Sequence, residues 1–165
     1  SGTSGLTTYG ILYGNGTASL GVTGVGTANQ VLTSNGAGVA PTFTAIGSTF
    51  VGSFTRDTTV ASGTQAVTGV GFVPRWCTFI ANQDSSREMS IGVDISTAQG
   101  SVADDVAAGG QYQMSTTASI FDEETNGTVL YSGEVSSFDS DGFTVTWTRT
   151  STPSGTLTIV YLCGR

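Results

Sequence analysis

The first 55 residues carry no charged side chain; Arg56 is the first, and all five arginines and all twelve acids lie from there onward. One chain therefore holds two physical regimes. The neutral segment is also repetitive: Thr7-Thr8-Tyr9-Gly10-Ile11-Leu12-Tyr13-Gly14-Asn15-Gly16 recurs as Thr27-Ala28-Asn29-Gln30-Val31-Leu32-Thr33-Ser34-Asn35-Gly36. Each copy reads as a short strand entering an Asn-Gly turn, because Asn and Gly accept the positive φ that a type I′ hairpin needs at both central positions. Two such copies do not make a domain: a lone hairpin is marginal in water, repeats need neighbours to cover their apolar faces, and dense glycine leaves few side chains to bury. The missing surface is expected from identical chains, whose Leu6, Ile11, Leu12, Leu20, Val22, Val31, Leu32 and Phe43 would meet around a symmetry axis. Ile11, Leu12, Val31 and Leu32, matched between the repeats, are the expected assembly residues. The competing reading is a flexible linker, but a linker needs neither the matched Ile/Val-Leu pairs nor the Asn-Gly turns.

Beyond residue 48 the pattern is that of strands. Met89, Ile91, Val93 and Ile95 alternate with Ser90, Gly92 and Asp94, and Phe143, Val145 and Trp147 alternate with Thr144, Thr146 and Thr148, so each run predicts a half-buried strand. Weaker signals over residues 49–55, 64–70, 74–81, 111–121, 128–135 and 156–163 bring the expectation to seven to nine strands at the spacing of a β-sandwich or jelly roll. The last run is apolar on both faces, which predicts a central or interface strand. Only Ser101-Val102-Ala103-Asp104-Asp105-Val106-Ala107-Ala108, stopped by Gly109-Gly110, suggests a single helical turn in a loop, with Ser101 as its cap. The expected fold class is all-β: an N-terminal Gly-rich interwoven β shaft over residues 1–48, followed by a C-terminal antiparallel β-sandwich or jelly-roll-like head over residues 49–165.

The stretch Gly26-Thr27-Ala28-Asn29-Gln30-Val31-Leu32-Thr33-Ser34-Asn35-Gly36-Ala37-Gly38-Val39-Ala40-Pro41-Thr42-Phe43 resembles a motif of tail fibres, head fibres and related appendages of tailed bacteriophages, with Phe43 where that motif usually has Trp. The segments Gly63-Thr64-Gln65-Ala66-Val67-Thr68-Gly69-Val70-Gly71-Phe72-Val73-Pro74 and Ser137-Phe138-Asp139-Ser140-Asp141-Gly142-Phe143-Thr144-Val145-Thr146-Trp147 resemble a C-terminal module of the same class. The resemblance implies a virion structural protein, assembled in the host cytoplasm as a homotrimer and contributing to attachment to a host-surface glycan or protein. The start Ser1-Gly2-Thr3-Ser4-Gly5, without methionine, leads to the expectation that the chain is the ordered end of a longer polypeptide whose missing part would anchor it to other virion proteins. A capsid head fibre or decoration protein without its own receptor, a polysaccharide depolymerase and a monomeric carbohydrate-binding module are the alternatives.

A formal charge of −7 with no lysine and no histidine argues against a phosphate-tracking groove, so nucleic acid is not an expected partner. No apolar run approaches the roughly 18 residues of a membrane-spanning helix, and the start at Ser1 shows neither a basic n-region nor an apolar h-region, so no membrane or secretion signal is expected. Cys77 and Cys163 both fall in predicted strands; assembly in a reducing cytosol predicts two buried free thiols in preference to a disulfide. Two cysteines without histidine do not supply a zinc site, and no cofactor is expected.

Without histidine or lysine the usual general bases and nucleophile pairs are missing, and only carboxylates remain for glycoside hydrolysis. The acids cluster as Asp104-Asp105, Asp122-Glu123-Glu124 and Asp139 with Asp141, which read as solvated loop charges, so no enzyme is expected. Asp139-Ser140-Asp141-Gly142 has the alternate acids of a calcium loop, but lacks its further ligands, and reads as a turn. Trp147 reads as core, whereas Trp76, Tyr112 and Tyr131 stand between packing and sugar stacking. Receptor contact is expected on charged loops over residues 82–88, 101–110 and 122–127, with Asp84, Arg87, Glu88, Asp104, Asp105, Asp122, Glu123 and Glu124 as the contact residues.

Overall fold

Fourteen strands and no helix form among the described residues. The computed structural model describes residues 7–17, 19–83, 89–105, 111–124, 128–152 and 154–165. The chain divides into two compact units, Ser1–Ser48 and Thr49–Arg165.

In the first unit β1 (Leu12–Tyr13) pairs antiparallel with β2 (Gly21–Val22), and β3 (Gln30–Thr33) with β4 (Thr42–Ala45). The sequence repeat returns in the backbone. Tyr9 and Asn29, equivalent positions, take φ of 64° and 63°, and Gly16 and Gly36 take 61° and 95°. Asn15 and Asn35 do not join their glycines at positive φ, so the two-residue type I′ turn expected of each Asn-Gly pair is not formed. The connections are longer, and Asn35 spans its own by donating from Nδ2 to the Ala40 carbonyl at 2.7 Å and the Thr42 hydroxyl at 3.1 Å.

The second unit contains β5 (Thr49–Asp57), β6 (Gly63–Thr68), β7 (Trp76–Gln83), β8 (Met89–Asp94), β9 (Gln99–Asp105), β10 (Gln111–Ser115), β11 (Ile120–Glu124), β12 (Thr128–Asp139), β13 (Gly142–Arg149) and β14 (Thr156–Gly164). They form a six-stranded antiparallel sheet, order β10-β9-β8-β7-β14-β5, and a four-stranded one, order β11-β12-β13-β6. The strand that is apolar on both faces, β14, lies between β7 and β5 inside the larger sheet.

Side chains of both sheets meet in one core: Cys77, Phe79, Ala81, Leu157, Ile159 and Tyr161 from the larger, and Val67, Ile120, Tyr131, Phe143, Val145 and Trp147 from the smaller. Phe143 packs edge-on against Phe54, Phe79 and Tyr161 with ring centroids 6.0, 5.5 and 5.1 Å away. Glycine opposite an aromatic recurs. Gly133 faces Trp147 and Gly52 faces Tyr161 across their ladders, and a Cβ on either would strike the ring. Arg56, the first charge in the sequence, closes one end of this core: its guanidinium lies 5.7 and 5.6 Å from the Tyr131 and Trp147 ring centroids, and its Nε donates to the Tyr131 hydroxyl at 2.7 Å.

Three expectations are corrected. Residues 101–105 belong to β9 and do not form a helical turn; residues 106–108 lie outside the described residues. Cys77 and Cys163, directly opposed on β7 and β14, are joined as a disulfide and are not free thiols. In β8 the faces are inverted: Ser90, Gly92 and Asp94 point inward, while Met89, Ile91 and Val93 point out. The reason is backbone proximity. A Cβ at Gly92 would collide with the Ser119 carbonyl, and on neighbouring β9 Ser101 donates its hydroxyl to the Ala118 carbonyl at 2.7 Å. Only small polar side chains fit where the 118–119 segment crosses this closely, so the bulky residues take the other face.

Candidate interaction surfaces

Ile11, Leu12, Val31 and Leu32 are between 40 and 50 % exposed, and Leu20, Val25, Val39 and Ile46 are exposed as well. Among the described residues of the first unit only Thr23 is buried; its hydroxyl accepts the Ile11 N–H and its own N–H donates to the Ile11 carbonyl. The two hairpins hold their backbones with hydrogen bonds while their aliphatic side chains have no core to enter. Leu6 lies outside the described residues, Val22 is half-buried, and Phe43 covers Gly26.

The charged positions expected to make contacts are distributed otherwise than on loops. Asp84, Arg87 and Glu88 lie outside the described residues. Asp104 and Asp105 end β9, where they pair with Tyr112 and Gln111 of β10, and Asp122, Glu123 and Glu124 lie in β11, paired with Tyr131, Val129 and Thr128 of β12 across a bulge. These five are strand residues, which corrects the loop expectation.

The Asp139–Gly142 segment is a turn joining β12 to β13, and its acids are engaged by the protein. Asp141 accepts the Gly71 N–H at 2.6 Å and the Gly69 N–H at 3.1 Å; Asp139 accepts the Thr144 hydroxyl at 2.8 Å and the Ser137 hydroxyl at 2.9 Å. Of the aromatics, Tyr131 is buried with its hydroxyl donating to the Val60 carbonyl, Trp76 packs on Gly164, and Tyr112 is exposed. Trp147 is core, its indole N–H donating to Gln65 Oε1 at 3.1 Å. Among the described residues no three His, Cys, Asp or Glu side chains gather as a metal site.

One polar recess was not foreseen. A cleft of about 450 Å³ is lined by Asp94, Ser96, Gln99, Thr116, Glu134 and Ser136, among others. Asp94, only 3 % exposed, accepts the Ser96 N–H at 3.1 Å and the Val135 N–H at 3.3 Å, and so ties the end of β8 to the bulge in β12. Gln99 donates from Nε2 to Glu134 at 3.1 Å and to the Thr117 carbonyl at 2.9 Å. The available signal was the acid on the Ser90-Gly92-Asp94 face, which only an inverted strand would bury.

Burial raises the Asp94 carboxyl above its ordinary value; the two N–H donors oppose this and the Glu134 charge adds to it. The folded state then holds a proton on Asp94 at pH values where the unfolded chain has lost it. This group's contribution to stability therefore rises as pH falls through the folded value and levels off below the unfolded one. Asp57 is the opposite case, lowered chiefly by the Thr59 hydroxyl and then by the Thr59 N–H, so its contribution is lost as pH falls through its folded value. Side-chain carboxyl NMR titration should show Asp94 titrating above Asp57; the reverse order would refute this account of the cleft.

No protein-family model, no curated protein and no solved structure matches this chain.

Proposed function

We propose that this chain is a structural component of a bacteriophage fibre: a homotrimer whose first unit is an interwoven shaft and whose second unit is a β-sandwich head that contributes to host-surface attachment. The observation that carries this reading is the first unit itself, a repeated pair of hairpins with Ile11, Leu12, Val31 and Leu32 exposed. Such surface is costly in water at roughly 25 cal/mol per Å², and identical chains wound together are the simplest means of covering a repeat with itself. The sequence resemblance to phage appendages supports the same reading, as does an all-β second unit whose inner faces share one core. In attachment, the outward strand ends and the cleft at Asp94 and Glu134 would meet a neutral glycan or a basic protein patch, since the −7 charge disfavours an anionic polymer.

The test is the double substitution Leu12→Asp and Leu32→Asp. In a single chain both positions are about half exposed, so folding of each copy should persist, whereas a trimer would bring six carboxylates together in a desolvated interface. Sedimentation at micromolar concentration should show three chains for the wild type and one for the variant. A trimeric variant, or a monomeric wild type, would overturn the shaft assignment.

A further inference from the structure

The larger sheet has an apolar exterior. Ile80, Met89, Ile91, Val93, Val102, Val160 and Leu162 point away from the core and are 37 to 49 % exposed, with Val51 and Met114 more so. Their register makes them one band. Met114 stands opposite Val102, Val102 opposite Ile91, Ile91 opposite Ile80 and Ile80 opposite Val160, while Leu162 stands opposite Val51. The smaller sheet shows what a solvated exterior looks like in the same protein: its outward positions include Thr64, Thr68, Ser132, Glu134, Thr146 and Thr148. Two antiparallel sheets of one unit thus differ in their outer faces: one is polar, and the other carries an aliphatic band flanked by polar residues such as Ser53, Thr55, Asn82 and Thr158.

We infer that the outer face of the six-stranded sheet is where copies of this chain pack on one another, three around one axis, a stoichiometry that rests on the fibre reading above. Charge selects a copy as the occupant. Each chain carries −7, and self-association needs a face that does not set acids against acids; among the described residues Asp104 stands at the rim of the band and Asp57 ends the outer face of β5. The face also holds a recess of about 130 Å³, lined by Met89, Ile91, Val102, Ala103, Asp104 and Tyr112, with Met114 projecting beside it.

Dimensions agree. The strands from β5 to β9 span roughly 19 Å, and three faces of that width closed into a triangle lie about 5.5 Å from the axis, close to half the roughly 10 Å at which sheets stack. Copies already tethered by an N-terminal assembly meet at high effective concentration, which favours a further copy over a free partner at this face.

The experiment uses the full chain. Ile91→Cys places a thiol in the middle of the band and Thr148→Cys places one on the hydroxyl-bearing face; the native cysteines are paired and do not compete. Maleimide should label Ile91→Cys at least tenfold more slowly than Thr148→Cys in the assembled protein, and the two rates should converge when dilution separates the chains. Equal rates in a protein that sediments as a trimer would overturn this inference and leave the shaft assignment standing; a monomer would overturn both. Ile91→Glu supplies a second reading. It should retain the wild-type circular dichroism and raise the concentration of half-dissociation at least tenfold, and an unchanged midpoint would count against the proposal.

Discussion

Phe143→Ala is expected to lower the stability of the C-terminal unit by about 3–5 kcal/mol, a large fraction of the roughly 5–15 kcal/mol a domain possesses. Phe143 is fully buried and is the one ring that touches Phe54, Phe79 and Tyr161 together. It lies on β13, whereas its three partners lie on β5, β7 and β14, so its loss opens a cavity between the two sheets and also removes three edge-to-face contacts. Collapse around the void is hindered on one side: Gly142, at φ 154°, sits where a Cβ would strike the Val67 carbonyl, so the backbone there is already in close contact. Equilibrium denaturation in urea checks the result. A loss below about 1 kcal/mol would mean that the two sheets do not share this core.

The pattern that identified Phe143 as core was the plainest in the sequence, and the reason is physical. Where one face of a strand meets a core and the other meets water, period-two alternation records which is which, as in β13. β8 shows the same alternation with the opposite sense, because the Ser119 carbonyl lies against Gly92 and excludes bulk from the inner face. Alternation states that a strand has two different faces. It does not state which is covered, and a sheet whose outside is also apolar defeats the usual inference. β9 was missed for another reason: Asp104-Asp105 after Ser101 imitates a helix start, and the pairing that holds those acids in a strand comes from β8 and β10, outside the local window. The polar cleft was illegible in the same way, since Asp94 and Glu134 come together only through the bulge of β12. The twenty-residue repeat, by contrast, survived into the backbone at Tyr9 and Asn29, because a left-handed residue is a local property.

Removing the disulfide should have an effect of comparable size. Cys77 and Cys163 are fully buried, 86 residues apart in sequence and 4.1 Å apart at Cα, directly opposed on adjacent strands of the larger sheet. The compartment argument favoured free thiols, but sequence gives no sign that two cysteines so distant stand in register, and once β7 and β14 pair their sulfurs are side by side. Cross-linking a loop of this length restricts the unfolded chain by about 4–5 kcal/mol on the loop-entropy account. The double substitution Cys77→Ala and Cys163→Ala also trades two buried sulfurs for methyl groups, which adds to the loss. Its stability in urea should therefore fall by at least about 4–5 kcal/mol, at an m-value that rises because the unfolded chain is released. Reductant should reproduce the shift only when added to the denatured protein, since burial keeps thiolates from reaching the bond while the sheet is intact. Two titratable thiols in the unreduced chain after denaturation would show the pair to be open, and the loop-entropy contribution would then be absent.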